Sequence, residues 1–164
     1  MQKKYKIDNF KVIVFDFDGV FTNNLALVDS DGKEYVLVNR ADGLGVQFLK
    51  KKNLKLFIIS SEKNKVVKMR SKKLNIECYY GVEDKVKILQ QISKKINISL
   101  SKFIYVGNDI NDLNAMKSCG LKLCPNDSHK EIKKISDIVL NTKGGGGITR
   151  EIVEKIFKYN IKSF

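Results

Sequence analysis

The run Phe10-Lys11-Val12-Ile13-Val14-Phe15-Asp16-Phe17-Asp18-Gly19-Val20-Phe21-Thr22 decides how the rest of the chain is read. It opens as unbroken apolar, strand-forming residues, the pattern of a central strand buried on both faces. It stops at two carboxylates, Asp16 and Asp18, and a glycine. In an open parallel sheet, chemistry sits just beyond the carboxyl ends of the strands. Two acids spaced i, i+2 at that edge repel each other unless a cation or a shared proton lies between them. A hard ion such as Mg2+, which prefers oxygen ligands, meets that need.

Working outward, strand-like runs alternate with helix-like ones, which argues for α/β architecture around a parallel sheet. Residues 25–28 and 34–39 flank Asp29-Ser30-Asp31-Gly32 and predict a β-hairpin. Coming directly after the first strand, it is placed to act as a flap (about residues 24–40) over the strand end. Further strands are expected at 54–60, 77–80, 103–106, 121–124 and 138–140. Helices are expected at 43–52, 62–74, 84–96, 109–118, 128–135 and 148–159. Val66, Val67, Met69 and Leu74 should face inward from one helix, and Val86, Ile88, Leu89, Ile92 and Ile96 from the next. Asp127 or Ser128 should cap the fifth. The glycines at 144–147 form a loop. The expected fold is a Rossmann-like three-layer sandwich, a single domain over 1–164.

Composition narrows the function classes. There is no apolar run of about 18 residues, the length a membrane span needs, and the basic start does not read as a signal peptide. Three cysteines, an odd count without CxxC spacing, suit core positions in a reducing cytoplasm. His129 is the only histidine, which excludes a histidine-rich metal site and argues against a Ser-His-Asp triad. The net charge is +13, yet only Arg40, Arg70 and Arg150 are arginines. Base readers favour arginine with interleaved aromatics, so nucleic acid is disfavoured. The lysines read as solvated faces that also steer a phosphorylated substrate.

Four expected strand ends carry polar residues. After Asp16 and Asp18 come Ser60 and Ser61, hydroxyls placed to hold a phosphate oxygen. Next is Lys85, a cation at a helix start, where the macrodipole disfavours it unless an anion is present. Last is Gly107-Asn108-Asp109-Ile110-Asn111-Asp112, offering hard oxygen ligands.

Taken together, DxDGVxT, the hydroxyl, the lysine and GNDxND resemble the haloacid dehalogenase superfamily of phosphohydrolases over essentially the whole chain. The small size and the hairpin resemble its capless branch, which includes 3-deoxy-D-manno-octulosonate 8-phosphate phosphatase and the domains associated with acylneuraminate cytidylyltransferases. The resemblance implies that Asp16 is a nucleophile forming an aspartyl phosphate, and that Asp18 is a general acid and base. It implies Mg2+ held by Asp16, the carbonyl of Asp18 and Asn108 or Asp109. Ser60 and Lys85 would hold the transferring oxygens, and Asp112 would orient the site from behind. Where the family usually has an acid after Gly107, this chain has Asn108.

The same resemblance implies a sugar-acid phosphate substrate of eight or nine carbons, with Thr22, Ser61, Glu62, Arg70, Lys73 and Arg150 as candidate substrate contacts. Glu62 and Lys73 resemble the nine-carbon branch. On one continuous helix they would stand about 16 Å apart, too far to grip one small molecule together unless one reaches a neighbouring subunit's site. The expected assembly is a homo-tetramer with packed hairpins and the 144–150 region near a subunit boundary. Alternatives are a weakly active partner of a nucleotide-sugar enzyme and a polynucleotide 3′-phosphatase.

Overall fold

The computed structural model describes residues 7–158. The apolar run forms β1 (Val12–Phe15), buried at every position. The hairpin β2 (Thr22–Val28) and β3 (Glu34–Val38) follows, then α1 (Ala41–Lys51), β4 (Lys55–Ile59), α2 (Lys65–Leu74) and β5 (Glu77–Tyr79). The chain continues through α3 (Lys85–Ile96), β6 (Phe103–Val106), α4 (Leu113–Lys117), β7 (Leu121–Cys124), α5 (Lys130–Ile135), β8 (Ile138–Val139) and α6 (Ile148–Glu151).

Six strands make one parallel sheet in the order β5-β4-β1-β6-β7-β8. The chain winds outward from β1 to one side and then, from β6, to the other. The crevice at this reversal, between β1 and β6, is where open α/β sheets place their ligands. Side chains alternate along each strand, so Ile13 and Phe15 join one core with Val46, Leu49, Val67 and Ile148. Val12 and Val14 join a second core with Leu89, Ile92, Met116 and Ile132. Two apolar cores either side of one sheet are the three-layer α/β sandwich expected from the sequence. The flap forms its own two-stranded sheet, separate from the main one.

Several local expectations are corrected. The second helix begins at Lys65, because the Asn64 side chain accepts the amide of Val66 as N-cap; Glu62 lies in the loop before it. Met69 does not face inward but is 64% exposed, and Arg70 and Ser71 take buried positions on that helix. Residues 109–118 are not one helix: a 3-10 turn, Ile110–Asp112, precedes α4. The fifth helix is capped by His129, whose Nδ1 accepts the amide of Glu131, not by Asp127 or Ser128. The closing helix breaks after Glu151 into a π-helical turn, Ile152–Ile156, and Tyr159 lies outside the described residues. Cys119 and Cys124 are buried and Cys78 half-buried, all as free thiols.

The glycines at 144–147 are built for contact. A Cβ on Gly144 would stand 2.2 Å from the carbonyl oxygen of Gly19, so only glycine lets this loop pack on the turn that carries Asp18. Asn39 ties the loop to the flap, donating from Nδ2 to the Gly145 carbonyl at 3.3 Å. At the same junction Asp42 accepts both the amide and the hydroxyl of Thr149, at 3.0 and 2.9 Å.

Candidate active site

Asp16 follows the last residue of β1, and its amide continues the ladder by donating to the Val106 carbonyl at 2.9 Å. That bond locks the side chain at the crevice. Its carboxylate accepts Lys85 Nζ at 2.9 Å, and the same ammonium reaches Asp112 Oδ1 at 2.7 Å. All three side chains are almost fully buried. Lys85 is the first residue of α3, where the Asp84 N-cap accepts the amide of Lys87 at 3.0 Å. Burial works against the lysine's charge, but Asp16 and Asp112 outweigh it and hold its pKa above the ordinary value. Burial, then the charge of Asp112, push Asp16 up to about 7, with Lys85 pulling the other way.

Asp112 is held from four sides. Lys85 and the Tyr105 hydroxyl, at 3.0 Å, reach Oδ1; the amides of Asn108 at 2.9 Å and Asp109 at 3.4 Å reach Oδ2. The turn after β6 is therefore wrapped around one carboxylate.

Asp18 stands at the opening, partly exposed. Thr22 is fully buried; its hydroxyl donates to Asp18 Oδ1 at 3.1 Å while accepting the amides of Gly19 and Asn24. Burial raises the Asp18 pKa; the Thr22 bond opposes this, and the charges of Glu62 and Glu34 add to it. A carboxyl kept protonated longer than usual can donate to a leaving oxygen.

Gly19 holds a positive φ of 78°, and a Cβ there would collide with the Asn108 amide. The glycine of the first motif thus makes room for the asparagine of the last. Asn108 is buried, and its Oδ1 has no hydrogen-bond partner. A buried carbonyl oxygen without a donor, on a side chain packed against the Gly19 turn that follows Asp18, is the kind of atom that a hard cation satisfies. Asp109 behaves differently: it is exposed, and its Oδ1 accepts the amide of Ile110 at 2.7 Å. Among the described residues no cluster of three or more His, Cys, Asp or Glu could hold a metal. A carboxylate such as Asp16, a backbone carbonyl and the Asn108 amide oxygen would together make a weakly charged oxygen site.

A model of the haloacid dehalogenase-like hydrolases matches residues 46–152. The chain belongs to this family. It is 28% identical over 159 residues to the 3-deoxy-D-manno-octulosonate 8-phosphate phosphatase of Haemophilus influenzae, covering 96% of this chain and 88% of that protein. The cobalt-bound structure of the Haemophilus enzyme superposes with a TM-score of 0.88 at 27% identity, covering 94% of this chain and 91% of the other. The Moraxella catarrhalis phosphatase, solved with magnesium, phosphate and a KDO molecule, superposes with a TM-score of 0.88 at 32% identity, covering 93% and 88% of the two chains.

The remaining expected residues of this hydrolase divide into two groups. Ser60 is buried at the end of β4, and its Oγ accepts the amide of Glu62 at 3.1 Å. Ser61 is exposed, accepting from Asn111 at 3.3 Å. Glu62 folds over the loop, its Oε1 accepting the amides of Lys63 and Asn64 at 2.7 and 2.9 Å. Glu62 lies in the loop ahead of the helix, so helical spacing does not describe its place; Glu62 and Lys73 line one open cleft of about 780 Å³ under the flap, together with Arg70. Arg70 is buried, donating to the Asn39 carbonyl at 2.7 Å and leaving Nε without a partner. Arg150 sits apart, exposed on α6 and paired with Glu154 at 2.9 Å.

Charge is ordered under the flap. An inner cleft of about 220 Å³ beside Asp18 is lined by Glu34 and Glu62. The outer cleft adds Lys33, Lys63, Lys65, Arg70 and Lys73. Asn64 Nδ2 donates to Glu34 Oε2 at 3.3 Å and fastens the flap across the two. Tyr105 was not legible as a site residue from sequence, where it reads as core.

Proposed function

We propose that this hydrolase is a Mg2+-dependent phosphomonoesterase acting on a 3-deoxy-2-keto sugar-acid phosphate of eight or nine carbons. The charge order of the clefts under the flap, beside Asp18, carries the reading. A substrate with phosphate at one end, a polyol between and a carboxylate at the other would meet Asp16 and Lys85, then acids that accept hydroxyl protons, then cations. The relatives named for octulosonate 8-phosphate support it.

Asp16 is the nucleophile: its carboxylate attacks phosphorus, the bond from phosphorus to the leaving oxygen breaks, and an aspartyl phosphate forms. Asp18 gives its proton to the departing alkoxide and, once ionised, takes one from the water that attacks the aspartyl phosphate. Lys85 and the Ser60 hydroxyl stabilise the charge on the equatorial oxygens. Asp16, the carbonyl of Asp18 and Asn108 Oδ1 would hold Mg2+, which supplies positive charge that lets a carboxylate approach a phosphate. Asp109, engaged with its own turn, is the poorer candidate. Thr22 holds Asp18 at its angle. Ser61, Glu62, Arg70 and Lys73 are the proposed contacts for the polyol and carboxylate, and Arg150 is reserved for a neighbouring subunit.

Octulosonate 8-phosphate, nonulosonate 9-phosphate, p-nitrophenyl phosphate and a 3′-phosphorylated oligonucleotide should be compared with Mg2+ and with excess EDTA. The sugar-acid phosphates are expected to lead by about tenfold or more in kcat/KM, with no turnover in EDTA. Full activity in EDTA sinks the metal assignment, and preference for the oligonucleotide sinks the substrate class. No turnover of any ester would favour a partner domain of a nucleotide-sugar enzyme. Glu62→Arg should lower kcat/KM for the preferred sugar acid by about tenfold while sparing p-nitrophenyl phosphate; equal loss on both would assign Glu62 to the fold.

The flap supports a homo-tetramer. Leu25, Leu27 and Leu37 are 70%, 72% and 77% exposed on the flap, and Tyr35, opposite Leu27, is exposed as well. An uncovered apolar sheet of this kind calls for a partner surface. Light scattering at micromolar protein should give four chains, and a monomer removes the idea. Among the described residues no helix is long and apolar enough to cross a membrane, and we place the protein in the cytoplasm.

A further inference from the structure

We infer that Tyr105 is a positioning residue for phosphoryl transfer, acting through Asp112 on Lys85; this rests on the phosphatase reading above. Tyr105 lies in the middle of β6 and is fully buried. Its hydroxyl reaches Asp112 Oδ1 at 3.0 Å, the same oxygen that takes Lys85 Nζ at 2.7 Å. An ionised carboxylate only accepts, so the phenol donates. The two donors share one oxygen, and each weakens that oxygen's hold on the other.

Lys85 is divided between Asp112 and Asp16. The transferring phosphoryl group needs the ammonium on the Asp16 side. Without the phenol, Asp112 Oδ1 would hold Lys85 more tightly and draw it away from Asp16. The ring itself does not require an oxygen. The other largest fully buried aromatic side chains, Phe15, Phe17, Phe21 and Phe103, are all phenylalanines. Around Tyr105 the core is Val12, Val14, Leu89 and Met116, where a phenylalanine would pack equally well. Its hydroxyl carries a polar group from that layer to the site.

The test is Tyr105→Phe, alone and combined with Asp112→Asn, assayed on p-nitrophenyl phosphate with saturating Mg2+. The single variant should lose about tenfold in kcat with KM within about twofold. Inhibition by orthovanadate, which resembles the transition state, should weaken by the same factor, while inhibition by inorganic phosphate holds. In the Asp112→Asn background, Tyr105→Phe should cost less than about twofold more, because residues acting through one another are not additive. An unchanged kcat, a loss confined to KM, or additive losses would overturn the inference. Should the single variant not fold, uniform 3-fluorotyrosine labelling, which keeps the ring and strengthens the donor, should change kcat and not KM; an unchanged kcat overturns it. A wild type that turns over while the variant matches it defeats this inference alone, whereas an inactive wild type defeats both.

Discussion

Asp16→Asn is expected to abolish turnover, lowering kcat by at least about 10,000-fold, the scale seen when a covalent nucleophile is removed. The same change should leave the protein as stable as the wild type, or more so, near about pH 8. The amide oxygen still accepts Lys85, and the substitution removes one of two buried negative charges. The pH dependence follows from Asp16 standing at about 7 in the fold against the ordinary 3.8 of an aspartate carboxyl. Between those limits the folded chain holds a proton that the unfolded chain has released. Stability therefore falls as pH rises through that window. Asparagine does not titrate, so its contribution to the slope should vanish. The two readouts are single-turnover assays and thermal melts at about pH 5 and pH 8, in EDTA. Residual activity within about a hundredfold would mean that Asp16 is not the nucleophile. A variant markedly less stable at the higher pH would mean that the buried charge is not a burden.

The strand ends were legible because polarity breaks sharply there. Asp16, Ser60 and the Asn108–Asp112 turn each end an apolar run, and a parallel sheet brings such ends to one edge. Lys85 was legible as a charge on the wrong end of a helix. Other features were settled by tertiary contacts that no local pattern encodes. The loop over residues 60–64 is held by Ser60 Oγ and Glu62 Oε1 accepting nearby amides, the same residue chemistry as a helix's first turn, so the sequence pattern predicts α2 three residues before it begins. The His129 cap escaped because histidine seldom plays that part. Tyr105 escaped because an aromatic inside an apolar run reads as packing. Only the register of β6 beside the Asp112 turn shows where its hydroxyl points. The choice between Asn108 and Asp109 was open in sequence. It narrows once one is seen buried with an unpartnered oxygen and the other exposed and capping its own turn.

Lys85→Met should produce the largest loss of stability of any single change in the site. Methionine fills the space of the lysine stem out to Cε, so the packing loss is small, but Asp16 and Asp112 lose the ammonium between them. Lys85 is 3% exposed, with Asp16 and Asp112 at 6% and 0%. Breaking a buried pair and leaving uncompensated charge costs about 3–5 kcal/mol, far more than the pair would contribute against an apolar replacement of both partners. The deficit should depend on pH. Lys85 is what pulls the Asp16 pKa down against burial and Asp112, so in the variant that pKa rises further. In acid, protonated Asp16 can donate to Asp112 and relieve the repulsion. As pH rises through the folded value, that proton is lost and two bare carboxylates face each other. The gap to wild type should therefore widen between about pH 5 and pH 8. Urea unfolding at both values, in EDTA so that no divalent cation replaces the ammonium, reads it directly. Turnover should fall by about 100- to 1,000-fold as well, the loss expected when one charge-stabilising donor is removed. A gap of the same size at both pH values would show that the missing energy is packing and not charge.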